Sequence, residues 1–129
     1  MGKKGFQDLV VWQRGRELAV LVYQQTSSGL FSRDYALRDQ MRRAAISIAS
    51  NIAEGDERET DREAIRFFYV AKGSAAELMT QVIIARDIGY LDQQQFEVLL
   101  ERCSEILRML AKLIQARSRS PQTNPISAG

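Results

Sequence analysis

Arginines are the residues of this chain best suited to act on a partner. Arg38 and Arg42 stand four apart, with Arg43 beside the second. Arg58, Arg62 and Arg66 repeat the interval of four. On a helix that spacing brings side chains onto one face. A guanidinium presents a planar fork that donates two parallel hydrogen bonds to a phosphate. Arg38, Arg42, Arg43, Arg62 and Arg66 are therefore candidate contacts to RNA or DNA. Arg108, Lys112, Arg117 and Arg119 make a third basic group. Acids are interleaved, however. Asp39 can pair with Arg42 or Arg43, Glu59 with Arg62, and Glu63 with Arg66, so a solvated, salt-bridged face competes with the nucleic-acid reading. A net charge of +2 permits a polyanionic partner without demanding one.

Other chemistries lack their residues. The 129 residues include no histidine and one cysteine, Cys103. That excludes the Glu-x-x-His pairs of di-iron bundles, zinc sites built from Cys/His sets, and Ser-His or Cys-His nucleophile pairs. No phosphate-cradling Walker loop occurs; Gly73 and Ser74 fall inside a helical stretch, where they favour close packing. Glu54 and Glu77 alone are a poor hard-metal site. The expectation is a protein that is not an enzyme, with no catalytic residue, no metal and no cofactor. Cys103 lies on an apolar stripe and reads as a reduced core residue. Asn51 and Glu54 interrupt an apolar surface. They either line a ligand pocket or form hydrogen bonds that fix helix register.

Four helices must position these groups. Both prolines, Pro121 and Pro125, lie in the last nine residues, so the strongest helix breaker is absent before them. The first helix runs from Asp8, a candidate N-cap, to about Gln25, with Leu9, Trp12, Leu18 or Ala19, Val22 and Tyr23 inward. Gly15 inside it marks either a close helix crossing or a weak point. Residues 26–29 form a loop. The second helix starts between Asp34 and Gln40, with Ser32, Asp34 and Asp39 all able to cap, and stops at Gly55 in a left-handed conformation.

Thr60 and Glu63 spell a capping box for the third helix, which extends from about Asp61 to Ile88. One face carries Ile65, Phe68, Ala75, Met79, Val82 and Ile83; a second carries Phe67, Val70, Ala71, Leu78 and Ala85. Gly89 stops it. Asp92 and Gln95 open the fourth helix, whose stripe is Phe96, Leu99 or Leu100, Cys103, Ile106 or Leu107, Leu110, and Leu113 or Ile114. The organisation expected is an all-α, antiparallel up-down four-helix bundle over residues 1–116 and a disordered C-terminal tail over 117–129. No apolar stretch is long enough to span a bilayer and no signal peptide is visible, so no membrane partner and a cytoplasmic location are expected.

Residues 40–55 carry more apolar surface than one partner needs. Met41, Ala44, Ala45, Ile48 and Ile52 make a core face. Ile46, Ala49 and Ala53 widen the arc, as Phe67 and Val70 do on the third helix. These five residues are the candidate interface of a homo-oligomer. The stretch from Gln40 to Gly55 also resembles the signature of the four-helix-bundle family of intervening-sequence proteins, encoded within inserts in bacterial large-subunit ribosomal RNA genes and elsewhere in bacterial genomes. The resemblance continues through Phe6, Asp8, Leu9, Val11, Trp12, Gln13, Leu18, Val22 and Tyr23. It resumes at Arg66, Phe67, Ala71, Gly73, Ser74, Glu77, Leu78, Gly89, Tyr90 and Leu91, covering roughly residues 6–114.

It implies a ring of five subunits and a distant likeness to the accessory protein of diversity-generating retroelements, which binds nucleic acid and a reverse transcriptase. A ring would repeat each modest arginine cluster and raise its effect by avidity. The favoured reading is an oligomeric scaffold that binds nucleic acid. The alternative is a protein-interaction accessory subunit, for example of a reverse transcriptase or other nucleic-acid enzyme, with no nucleic-acid contact of its own.

Overall fold

The structure, a computed structural model, describes residues 5–119. Among them are four helices and no strand: α1 (Val10–Gln25), α2 (Tyr35–Asp56), α3 (Asp61–Asp87) and α4 (Gln93–Ser118). They bundle around one apolar core. The expected tail begins inside α4, which continues through Arg117 and Ser118; residues 120–129 lie outside the described residues.

Two short 3-10 turns refine the helix starts. Gly5–Asp8 forms one, so α1 is capped at Leu9 and Asp8 sits in the turn. Its inward residues are Val11, Gly15, Leu18 and Val22. Trp12 is only half-buried, tilted against Phe6 with ring centroids 5.1 Å apart, and Tyr23 is 41% exposed. Gly15 does mark a close crossing: a Cβ there would lie 3.4 Å from Ile48 Cγ2 and 3.6 Å from the Ala49 Cα. The second turn, Gly29–Arg33, buries Phe31 against Tyr90. Of the three residues able to cap α2, Asp34 does so, accepting from the Leu37 amide at 3.1 Å.

The core face of α2 is the expected one, Met41, Ala44, Ala45, Ile48 and Ile52, joined by Gly55. Gly55 is a correction. Its φ is not positive, as those of Gly5, Gly29 and Gly89 are, and α2 runs on through Asp56. Gly55 is needed for room, because a Cβ there would stand 2.6 Å from Phe68 Cε1. Thr60 caps α3 by accepting from the Glu63 amide at 3.2 Å.

The core of α3 runs between the two expected faces: Ala64, Phe68, Ala71, Ala75, Leu78, Val82 and Ala85, with Ser74 and Gln81. Ile83 and Val70, at the far edges of those faces, stay exposed. A helix serving both α2 and α4 buries the arc that bisects its two neighbours. Gly73 points to open space, and Ser74 makes the close contact instead. Gly89, at φ +88°, ends α3, and the Tyr90 amide closes back on the Ala85 carbonyl at 2.8 Å. Asp92 and Gln95 form the full reciprocal capping box of α4. Its buried stripe is Phe96, Leu99, Cys103, Ile106, Leu110 and Ile114.

Candidate nucleic-acid interface

The five arginines fall into two groups at different places. Arg38, Arg42 and Arg43 lie in the first half of α2; Arg62 and Arg66 lie in the first turns of α3, beside the end of α2. Thirteen helical residues separate Arg42 from Gly55, or about 20 Å, so one protomer does not bring the groups together.

Their states differ as well. Arg42 Nε donates to Thr26 Oγ1 at 2.9 Å and Nη2 to Ser27 Oγ at 3.3 Å. Its guanidinium sits 4.4 Å from the centre of the Tyr23 ring. Arg38 Nε donates to Asp39 Oδ1 at 3.0 Å and Nη1 to the Ser32 carbonyl at 3.2 Å, over Tyr35 at 4.7 Å. Arg43, Arg62 and Arg66 are exposed and have no ion-pair partner among the described residues. The expected pairings of Asp39 with Arg42 or Arg43, and of Glu59 and Glu63 with Arg62 and Arg66, are not formed. Asp39 pairs with Arg38, and Glu54 with Arg58 at 2.8 Å.

Tyr35 and Tyr23, under the Arg38 and Arg42 guanidinium groups, are candidate site residues that the sequence does not single out. Tyr23 stands on the helical spacing of the α1 core, and spacing alone places it inward. Its position three residues before the loop that returns to Arg42 is the only local signal.

The interface candidates also separate. Ile46 is 44% and Val70 52% exposed. Ala53 is half-buried. Ala49 is half-buried against Gly15, and Phe67 lies under the Arg58 guanidinium at 4.4 Å. Asn51 bonds within its own helix, donating to the Ser47 carbonyl at 2.8 Å and to Ser47 Oγ at 3.0 Å. Ser47 in turn bonds Ser74 of α3 at 2.8 Å. Asn51 thus organises the α2–α3 seam, while Glu54 faces solvent.

The third basic group holds a structural residue. Arg117 donates to Asp61 at 2.8 Å and to Asp56 at 3.3 Å, tying the last turn of α4 to the α2–α3 turn. Cys103 is fully buried, and that burial pushes its thiol up to about 12, leaving it a neutral apolar filler at physiological pH. No cluster of three or more potential metal ligands occurs among the described residues. No described helix is long and apolar enough to cross a membrane. An open groove of about 460 Å³ runs between α1 and α4, lined by Arg16, Val20, Leu21, Val98 and Arg102 among others.

The chain resembles known proteins in sequence and fold. The model of the 23S rRNA-intervening sequence protein family matches residues 7–112. The chain belongs to that family. The family span takes in α1 to α3, most of α4 and both arginine groups but stops short of Arg117. A crystal structure from Bacteroides thetaiotaomicron, described as a protein of unknown function from the S23 ribosomal protein family, superposes with a TM-score of 0.76 at 22% identity. The match covers 82% of this chain and 99% of that one, and it supports the fold alone. No curated protein matches the chain.

Proposed function

We propose that this intervening-sequence protein is a non-catalytic, cytoplasmic scaffold: an antiparallel bundle that self-associates and binds nucleic acid through arginine. The observation that carries the reading is the free state of Arg43, Arg62 and Arg66, three exposed guanidinium groups that pair with no acid among the described residues. The antiparallel arrangement is supported by the α2–α3 contacts. Gly55 meets Ala64 and Phe68, whereas Ser47, further back along α2, meets Ser74, further on along α3.

Self-association is supported by apolar side chains without cover on the outer faces of α2 and α3 and just past the end of α3: Ile46, Val70, Ile84 and Ile88 are each at least 44% exposed. The five-membered ring comes from the family resemblance. A ring would multiply each arginine pair and compensate for a net charge of only +2.

Light scattering at micromolar protein should give a multiple of 14.6 kDa. Titration with structured RNA and single-stranded DNA at about 50 mM salt should show binding that weakens as salt rises, because phosphate contacts release counterions. The double variant Arg62→Glu, Arg66→Glu should lower affinity and flatten the salt dependence by about one unit of slope for each phosphate no longer neutralised. Its mass should not change. A clean monomer removes the ring, and no binding by the wild type removes the nucleic-acid role.

The protein-interaction reading would then lead. The groove between α1 and α4 favours it, lined by exposed Val20 and Val98 together with Arg16 and Arg102.

A further inference from the structure

Arg38 and Arg42 are each tied into the protomer through part of the guanidinium, unlike Arg43, Arg62 and Arg66. Arg42 has committed Nε and Nη2 to Thr26 and Ser27. Thr26 is itself pinned, donating to the Val22 carbonyl at 2.7 Å. Arg38 has committed Nε to Asp39 and Nη1 to Ser32, and the Asp39 carboxylate offsets its charge. Each guanidinium also lies over the ring of a tyrosine that is itself well exposed: Arg42 over Tyr23, at 41%, and Arg38 over Tyr35, at 65%.

We propose that Tyr23, Tyr35, Arg38 and Arg42 form a stacking platform for the unpaired bases of single-stranded nucleic acid. The inference rests on the nucleic-acid reading above and specifies the form of polymer it takes. Aromatic rings and guanidinium planes stack on any base, because every base has a π-face. A duplex hides those faces in its own stack and offers the platform nothing. Here the two guanidinium groups are already held by hydrogen bonds, so little of their side-chain freedom is lost when a base arrives.

The spacing agrees. Residues four apart on a helix rise about 6 Å, wider than the roughly 3.4 Å repeat of a stacked strand. Bases resting on both stations are therefore unstacked from each other. Arg33 and Arg43 flank the platform in sequence, exposed and with no ion-pair partner among the described residues, and add positive charge near it.

The test is a fluorescence titration of the whole protein with four polymers of about 20 nucleotides: an adenine DNA strand, its RNA counterpart, an abasic strand with the same phosphates, and a duplex. The two base-bearing single strands should bind alike, each about tenfold tighter than the abasic strand and the duplex. The double variant Tyr23→Leu, Tyr35→Leu should reduce the base-bearing strands to the abasic level and leave abasic binding unchanged. Tyr23→Phe with Tyr35→Phe should retain full affinity.

Equal binding of the abasic strand or the duplex by the wild type overturns the platform while leaving phosphate binding in place. The same comparison decides the matter if the leucine variant does not fold. Failure of all four polymers to bind overturns the nucleic-acid reading itself, and the platform with it.

Discussion

Replacing Gly55 by alanine should destabilise the bundle by about 2–3 kcal/mol. An alanine Cβ at this position would sit 2.6 Å from Phe68 Cε1, 2.9 Å from Cδ1 and 3.0 Å from the Ala64 carbonyl oxygen. The carbonyl is part of the α3 backbone and cannot swing aside. Phe68 has no exposed surface to retreat into. Relief therefore requires α2 and α3 to separate along the seam where they meet most extensively.

The alanine helix preference, worth about 1 kcal/mol over glycine, is small against that overlap. A fall in melting temperature on the order of 10 °C is expected for a domain of this size. Gly73→Ala supplies the contrast. It also lies inside a helix, but nothing approaches its Cβ position, so the same substitution should stabilise by up to about 1 kcal/mol. An unchanged melting temperature for Gly55→Ala would mean that Phe68 has another home.

Removing the guanidinium at Arg117 should cost about 3 kcal/mol. Its partners are unequal: the Asp56 side chain is 1% exposed and that of Asp61 15%. Taking away one member of a buried ion pair costs more than the pair contributes, because a charge is left in a poorly solvated site. Arg117 is itself about a quarter exposed, which holds the expected loss to the lower end of the range for buried pairs. Arg117→Lys should lie between Arg117→Ala and the wild type, since an ammonium keeps the charge but cannot reach both carboxylates as the fork does. Urea denaturation at low and high salt reads both. A loss below about 1 kcal/mol, or one that vanishes in salt, would show that the ion pair behaves as an ordinary surface pair.

How much of the fold is legible in the sequence depends on whether the signal is local. The stripe from Met41 to Ile52 and the stripe from Phe96 to Ile114 repeat at helical spacing, so the cores of α2 and α4 can be read directly. The caps at Thr60 and Asp92 are short patterns and equally plain. Gly55 stands out in the sequence for the wrong reason: glycine after an apolar run signals a left-handed stop, and sequence cannot distinguish that from a glycine needed for room.

Arg117 falls into the expected tail because its neighbours are polar, yet its partners lie 56 and 61 positions away. The arginine groups follow from their spacing. Which of them are free does not, because that depends on Tyr23, Thr26 and Ser27 arriving from α1 and the loop after it.

The α2–α3 seam has a consequence for the order in which the chain assembles. Gly55 and Phe68 are thirteen positions apart, and the Ser47–Ser74 bond spans twenty-seven. Loops this short close with little loss of entropy, whereas the clasp from Arg117 to Asp56 must draw together ends sixty-one residues apart. The hairpin of α2 and α3 can therefore act as the folding nucleus, with α1 and α4 condensing on it and the clasp closing last. Gly55→Ala should then chiefly slow folding and Arg117→Ala chiefly speed unfolding; stopped-flow rates that divide the other way would place the nucleus elsewhere.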